Sequence, residues 1–276
     1  MENIEQVIFV NPHDIEDRSV EVKKGDVIAN LPYHPAVDMW FDNHNRAEEA
    51  PEAMPNIKGK RGVSSSTARL VYEYYNSPLL KKFGELLTAT DKVSTATLSL
   101  DEVINPEEWV LLSFTLDPFM GLANFHGFAN TIIAALKNGQ TIQQILEMPD
   151  VKGRVNRYKL DAEDFREELS RITRLQDNVI ISDYRVGEVM ATGNRFVGSS
   201  LHPEGNVEVV ITHDSKNNQT RVRMGKSIFT RTCIMHLGHL AAEFGGGGLD
   251  GAAGFSTPNQ GADEKIELLV DRLRGK

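Results

Sequence analysis

DVIANLPYHPAVDMWFDNH, residues 26–44, holds two short apolar runs, each followed by polar or turn-forming residues. DVIAN (26–30) and DMWFD (38–42) have the length of buried strands, and they end in Asn and Asp, residues that favour the exit from a strand into a turn. QVIFV (6–10) reads the same way. Downstream, the serine-threonine cluster of SSSTARLVYEYY (64–75) is a helix cap, Leu70, Val71, Tyr74 and Tyr75 share one helical face, and Pro78 closes the run. Strands followed by helices predict an α/β fold with a largely parallel sheet.

Further along, GFANTIIAALKNG (127–139) is a helix ending at Gly139, and TIQQILEM opens with Thr141 and Gln144 at capping-box spacing. From Arg154 to Gln176 the apolar positions Val155, Tyr158, Ala162, Phe165, Leu169 and Ile172 step by three and four, which predicts one long helix serving as a connector. After it the period becomes that of strands: NVIISD (178–183), EVMAT (188–192), then VEVVITH and TRVRM as a hairpin around DSKNNQ. DEKIELLVDRLRGK (263–276) closes the chain as a helix with Ile266, Leu269, Val270 and Leu273 on one face. The expected organisation is therefore an α/β domain over 1–125, a helical connector over 126–176 and a small mixed-sheet α/β domain over 177–276.

The 276 residues are 40% hydrophobic and 25% charged, a soluble composition with room for two modest cores. A single cysteine, Cys233, excludes an internal disulfide and a cysteine-built zinc site. No basic segment followed by a long apolar stretch opens the chain, and no apolar run reaches the roughly 18–20 residues of a membrane span, so a cytoplasmic location is expected. A net charge of −9 excludes a protein that coats duplex nucleic acid by charge alone. It leaves room for a local anion site.

Three places carry candidate chemistry. Asp42, Asn43 and His44 end an apolar run, where an α/β sheet presents side chains to a ligand; oxygen and imidazole donors there suit Mn²⁺ or a similar ion, or else form a polar turn. Asp91, within LLTATDKVSTATLS, offers one more carboxylate, or caps a turn. Toward the C-terminus, FGGGGLDGAAGF (244–255) sets Gly245, Gly246, Gly247 and Gly248 in a row after the basic stretch TRVRMGKSIFTRT, which supplies Arg221, Arg223, Lys226, Ser227 and Arg231. Successive amides without Cβ atoms form a concave donor site for phosphate, or the glycines make a mobile loop or a tight domain contact.

NLPY (30–33), WFDNH (40–44), the isolated Asp91, GKSIFTRT (225–232) and FGGGGLDGAAG (244–254), in this order, resemble the DHH phosphoesterase superfamily. The chain is similar to its bacterial and archaeal exopolyphosphatase-like branch. The resemblance implies an N-terminal DHH domain, a connector helix and a C-terminal DHH-associated domain with the active site in the cleft between them. It implies a hydrolase that cleaves phosphoanhydride or phosphodiester bonds with a pair of Mn²⁺ or Mg²⁺ ions. The implied substrate is a polyphosphate, a nucleotide or a short oligonucleotide, held by Arg223, Lys226, Ser227, Arg231 and the four glycines. Asp42, His44 and Asp91 are the implied catalytic residues, with Asp91 a metal ligand, Asp42 a ligand or an orienting group, and His44 a contact to phosphate or to a ligand.

The sequence also departs from that pattern. The aspartate pair of an SDFDG-like opening segment is absent, and against the family pattern the chain is expected to begin about one strand and one helix late. Asn30 stands where many members have a metal-binding aspartate, Asn43 where the first histidine of the motif belongs, and Leu249 where the glycine segment carries a histidine. These departures favour an alternative, a non-catalytic relative that binds a phosphorylated ligand or nucleotide. Edge strands and the connector stripe allow a homodimer.

Overall fold

The computed structural model describes residues 4–44, 57–117, 125–187 and 189–276. The chain is α/β and divides into two compact units, one built from Met1–Thr97 and His126–Lys137, the other from Leu98–Phe125 and Asn138–Lys276.

The first unit holds a parallel sheet of three strands in the order β1 (Val27–Ala29), β2 (Met39–Asp42) and β3 (Lys58–Arg61). β2 is buried along its whole length, as a central parallel strand covered on both faces requires. Trp40 packs with Ile28 and Val37 on one side, while Met39 and Phe41 meet Leu70 of the Thr67–Tyr75 helix on the other. β3 reads KGKR and has no apolar signature. Its place depends on Gly59, with φ +114°, where a Cβ would fall 2.1 Å from the Trp40 carbonyl oxygen. The expected strand over residues 6–10 does not form: the segment has no regular structure, Ile8 is exposed, and no strand among the described residues pairs with it.

The second unit is built on a six-stranded mixed sheet in the order β4 (Thr173–Gln176), β5 (Val179–Asp183), β6 (Val207–Asp214), β7 (Gln219–Lys226), β9 (Ala252–Pro258) and β8 (Gly247–Gly248). Only β5 and β6 run parallel. Alternation along the strands sends Val207, Val209, Ile211 and Val222 to one face, where they are fully buried against Leu237, Leu240, Leu269 and Leu273. The opposite face meets a smaller cluster of Phe165, Leu169, Ile172 and Val197.

Two sequence expectations are corrected here. The long helix spans Pro149–Ile172, starting at a proline in its first turn; Thr173–Gln176 leave it to pair antiparallel with β5, because ladder hydrogen bonds hold those residues extended. EVMAT is not a strand over its described residues 189–192: the amides of Met190 and Ala191 donate to the Glu168 carboxylate at 2.8 and 3.0 Å, so they do not serve a ladder. Glu188 lies outside the described residues. No helix among the described residues is long and apolar enough to cross a membrane.

Candidate functional site

In the first unit the polar residues gather at the carboxyl ends of the parallel strands, where open α/β sheets place their ligands. Asn30 follows β1 in the left-handed region, φ 62°, its amide bound to the Phe41 carbonyl. Asp42 ends β2 and is buried, and its Oδ1 lies 2.8 Å from His44 Nδ1. Ser66 caps the Thr67–Tyr75 helix by accepting from the Arg69 amide, which brings Thr67 and Arg69 beside the strand ends.

Thr67 Oγ1 lies 2.6 Å from Asn43 Oδ1 and 3.1 Å from Asn30 Oδ1. A hydroxyl has one proton, so it donates to one amide oxygen. The Asn43 amide is oriented by its NH₂, which donates to the Ser64 carbonyl at 3.2 Å, so Asn43 takes that proton. The Asn30 amide, turned end for end, then meets the hydroxyl oxygen with its own NH₂. Asp91, in the last turn of the Gly84–Ser94 helix, accepts from Ser66 Oγ at 2.6 Å through Oδ1; through Oδ2 it accepts from Arg69 Nε at 2.8 Å and from Arg69 Nη2.

These residues do not fit a pair of divalent ions. Asp91 is already neutralised by a guanidinium that binds it through two nitrogens. Asn30 and Asn43 present amides that are engaged with Thr67, and amides carry no charge to offset a second cation. Among the described residues, no group of three or more His, Cys, Asp or Glu side chains is arranged to hold a metal ion. The structure thus brings together Asp42 with His44, and Asn30 with Asn43. Asp91 joins a different set, with Ser66 and Arg69.

In the second unit the basic stretch is largely spoken for. Arg221 pairs with Asp214 and Lys226 with Asp250, each at 2.8 Å. Ser227 is buried, and its hydroxyl accepts from the amides of Phe229 and Thr230, so it is placed to hold a turn. Arg231 is exposed and donates through Nε to the Ile228 carbonyl. The side chain of Arg223, also exposed, makes no ion pair or hydrogen bond with another described residue, while its backbone lies in the β7 ladder.

The glycine run caps its own helix and builds a hairpin. The Leu237–Glu243 helix ends with Gly245 at φ +82°; the Gly245 amide donates to Ala242 O and the Gly246 amide to Ala241 O. That is a Schellman cap, which consumes the first two amides on the helix's own last carbonyls. Gly247 and Gly248 form β8 and pair with Gly254 and Ala253 of β9. A Cβ on Gly246 would sit 2.1 Å from Gly254 O, and one on Gly248 would sit 2.5 Å from Ala253 Cα. What approaches these glycines is protein backbone. Leu249, at the hairpin tip, is exposed.

Sequence reasoning missed a recessed carboxylate. Glu208, the only acid within VEVVITH, lies on the sheet face opposite the large core and accepts from Ser199 Oγ at 2.9 Å. Burial pushes its carboxyl up to about 7, against the lowering effects of the Ser199 hydrogen bond and the Arg223 charge. Nearby Tyr184 is pushed up to about 12, again by burial first and then by the Glu208 charge. Asp183, one residue before, behaves oppositely. Burial would raise it, but hydrogen bonds from the Arg185 side chain and amide outweigh burial and hold it low. A charged residue alone in an apolar strand was the available signal for Glu208; no pattern marked Tyr184.

No family model matches the chain, and no curated protein matches it. Among solved structures it is similar to the pGpG-specific phosphodiesterase PggH from Vibrio cholerae, with 29% sequence identity and a TM-score of 0.85 over 98% of this chain and 90% of that one. The likeness supports the DHH phosphoesterase superfamily as the setting for the motifs described above. It does not single out the exopolyphosphatase-like branch.

Proposed function

We propose that the chain is a phosphoesterase acting on a small phosphorylated substrate, of which a short linear dinucleotide is the leading example. The observation that carries this reading is the likeness to a pGpG-specific phosphodiesterase over 98% of the chain at 29% identity. A linear polyphosphate, the substrate of the exopolyphosphatase-like branch, offers the same phosphate chemistry and is the second substrate to try.

Within the first unit, the contact between Asp42 and His44 supports a role in proton transfer. Asp42 Oδ1 accepts from Nδ1–H of His44, which fixes the imidazole and leaves Nε2 with a lone pair for a proton from water or a substrate hydroxyl. His44 is assigned that role and Asp42 the role of orienting it. No step is assigned to Mn²⁺ or Mg²⁺, because the side chains of Asp91, Asn30 and Asn43 are engaged with protein partners.

The test is incubation of the full chain with pGpG, with and without Mn²⁺, following mononucleotide release by chromatography. Release is expected, and His44→Ala should lower kcat by roughly 100-fold, the usual size of a general acid–base contribution. Equal release by the parent and the variant would remove His44 from the chemistry. A second reading, binding without turnover, is favoured by the Arg69–Asp91 pair, which puts a fixed cation on a carboxylate expected to hold a metal. It predicts that pGpG binds and is recovered intact with or without Mn²⁺.

A further inference from the structure

On the face of the second unit's sheet away from the large core lies a cavity of about 280 Å³, lined among others by Tyr184, Glu208, Arg223, Arg195, Phe165 and Leu169. Period-2 alternation puts Glu208 of β6 and Arg223 of β7 on this face, since Val207, Val209, Val222 and Met224 face the core. The Pro149–Ile172 helix supplies Phe165 and Leu169 as an apolar wall. The volume is near the lower end of small-ligand sites, suited to one nucleotide base and its immediate substituents.

Two features of the cavity are unusual for packing alone. Glu208 is recessed among apolar side chains with a single Ser199 hydroxyl as its hydrogen-bond partner and no ion pair among the described residues. Its position is specifically accommodated: a Cβ on Gly198 would fall 1.9 Å from Glu208 Oε1. Arg223 borders the same cavity and is likewise unpaired among the described residues. Opposite charges that share a small cavity without bonding one another leave room for a ligand that complements both. Arg195 adds a second cation, its Nε 3.9 Å from Asp117 and its guanidinium 5.2 Å over the Phe196 ring.

A carboxylate with free lone pairs calls for a donor edge, and the two arginines call for an anion. A guanine nucleotide has both: the ring N1–H and the 2-amino group point the same way and match the two carboxylate oxygens, while the phosphate meets the guanidinium. Adenine presents one donor and one ring acceptor on that edge, and the acceptor would confront the carboxylate's lone pairs. Phe165 and Tyr184 supply ring surface for the base. We propose that this cavity is a guanine-nucleotide subsite in which Glu208 reads the base and Arg223 holds a phosphate. The inference rests on the small-phosphorylated-substrate reading above and specifies the base.

The experiment is calorimetric titration of the full chain and of Glu208→Gln and Arg223→Ala with GMP, AMP and inorganic phosphate at pH 8, alongside pGpG turnover. The parent is expected to bind GMP at least about tenfold more tightly than AMP, the scale on which a site built for hydrogen bonding rejects a mismatched edge. Glu208→Gln should bring the two nucleotides to within about twofold while leaving phosphate affinity unchanged, and Arg223→Ala should weaken both by about tenfold. Equal affinity for GMP and AMP in the parent, or a ratio that Glu208→Gln does not move, overturns the subsite; if pGpG is still cleaved, the phosphoesterase reading survives it. Neither binding nor turnover overturns both.

Discussion

Asp91 in the first unit and Glu208 in the second are carboxylates of the same chemistry in opposite circumstances. Asp91 is met by a serine hydroxyl and a guanidinium, so both its oxygens are engaged. Glu208 is recessed with one hydroxyl partner, and Arg223 acts on it only through its field. A polar group whose hydrogen-bonding capacity is filled by its own protein adds rigidity and has little left for a ligand; one that burial leaves underserved is costly to the fold and receptive to a partner. The contrast runs through both units: Asn30, Asn43 and Thr67 satisfy one another, whereas Arg223 faces a cavity unpaired among the described residues.

The sharpest way to break the contrast is Glu208→Gln. A carboxyl held at about 7 in the folded chain, against an ordinary 4.5, binds its proton more tightly when folded. The folded state therefore carries more protons between those values, and stability falls as pH rises from 4.5 through 7. Above pH 7 the charge costs on the order of 3 kcal/mol. Glu208→Gln should recover that amount in urea unfolding at pH 8 and flatten the pH profile across this window. Superimposable profiles for parent and variant would mean that Glu208 is not underserved.

Next in size is Arg69→Ala, which strips the cation from Asp91. Removing one partner of a deeply buried pair costs roughly 3–5 kcal/mol; with Asp91 and Arg69 both partly exposed, about 2 kcal/mol is expected in denaturant unfolding at pH 7. The same variant sharpens the comparison, because a freed carboxylate should bind Mn²⁺ more tightly than the parent does, as calorimetry can measure. Unchanged stability and unchanged Mn²⁺ binding would show that the pair is incidental.

Gly246→Ala tests whether the glycine run is packing or ligand site. Its Cβ would meet Gly254 O and Phe255, so a loss of about 2 kcal/mol is expected from overpacking against backbone. Gly245→Ala has open space but a left-handed φ, and should cost only about 1 kcal/mol. Both costs should be the same with and without pGpG. A Gly246→Ala variant of parental stability that lost pGpG binding would restore the run to a role in substrate recognition.

Much of the architecture was legible because apolar period and capping are local properties. β1, β2, β5 and the β6–β7 hairpin fall where apolar runs predicted strands, and the Thr141–Gln144 capping box forms as its spacing indicates. KGKR and AAGFSTP gave no such signal, since β3 and β9 are strands by virtue of their neighbours: Gly59 lets the Trp40 backbone approach, and small residues in β9 admit β8. QVIFV failed for the converse reason, having strand-like composition while no strand among the described residues pairs with it.

For the candidate site, the sequence by itself determined which chemical groups are present: Asp42 and His44 two residues apart at a strand end, amides at positions 30 and 43, and a basic stretch before a glycine run. The two-residue spacing keeps Asp42 and His44 close, and the fold closes them to a 2.8 Å contact. Only the tertiary structure decided how those groups spend their hydrogen bonds. Arg69 meets Asp91 across 22 positions, Gly248 pairs with Ala253 of the next strand, and Glu208 and Arg223 converge on one cavity from adjacent strands. Whether a polar group is satisfied depends on what folding brings within about 3 Å of it, and no local pattern encodes that distance.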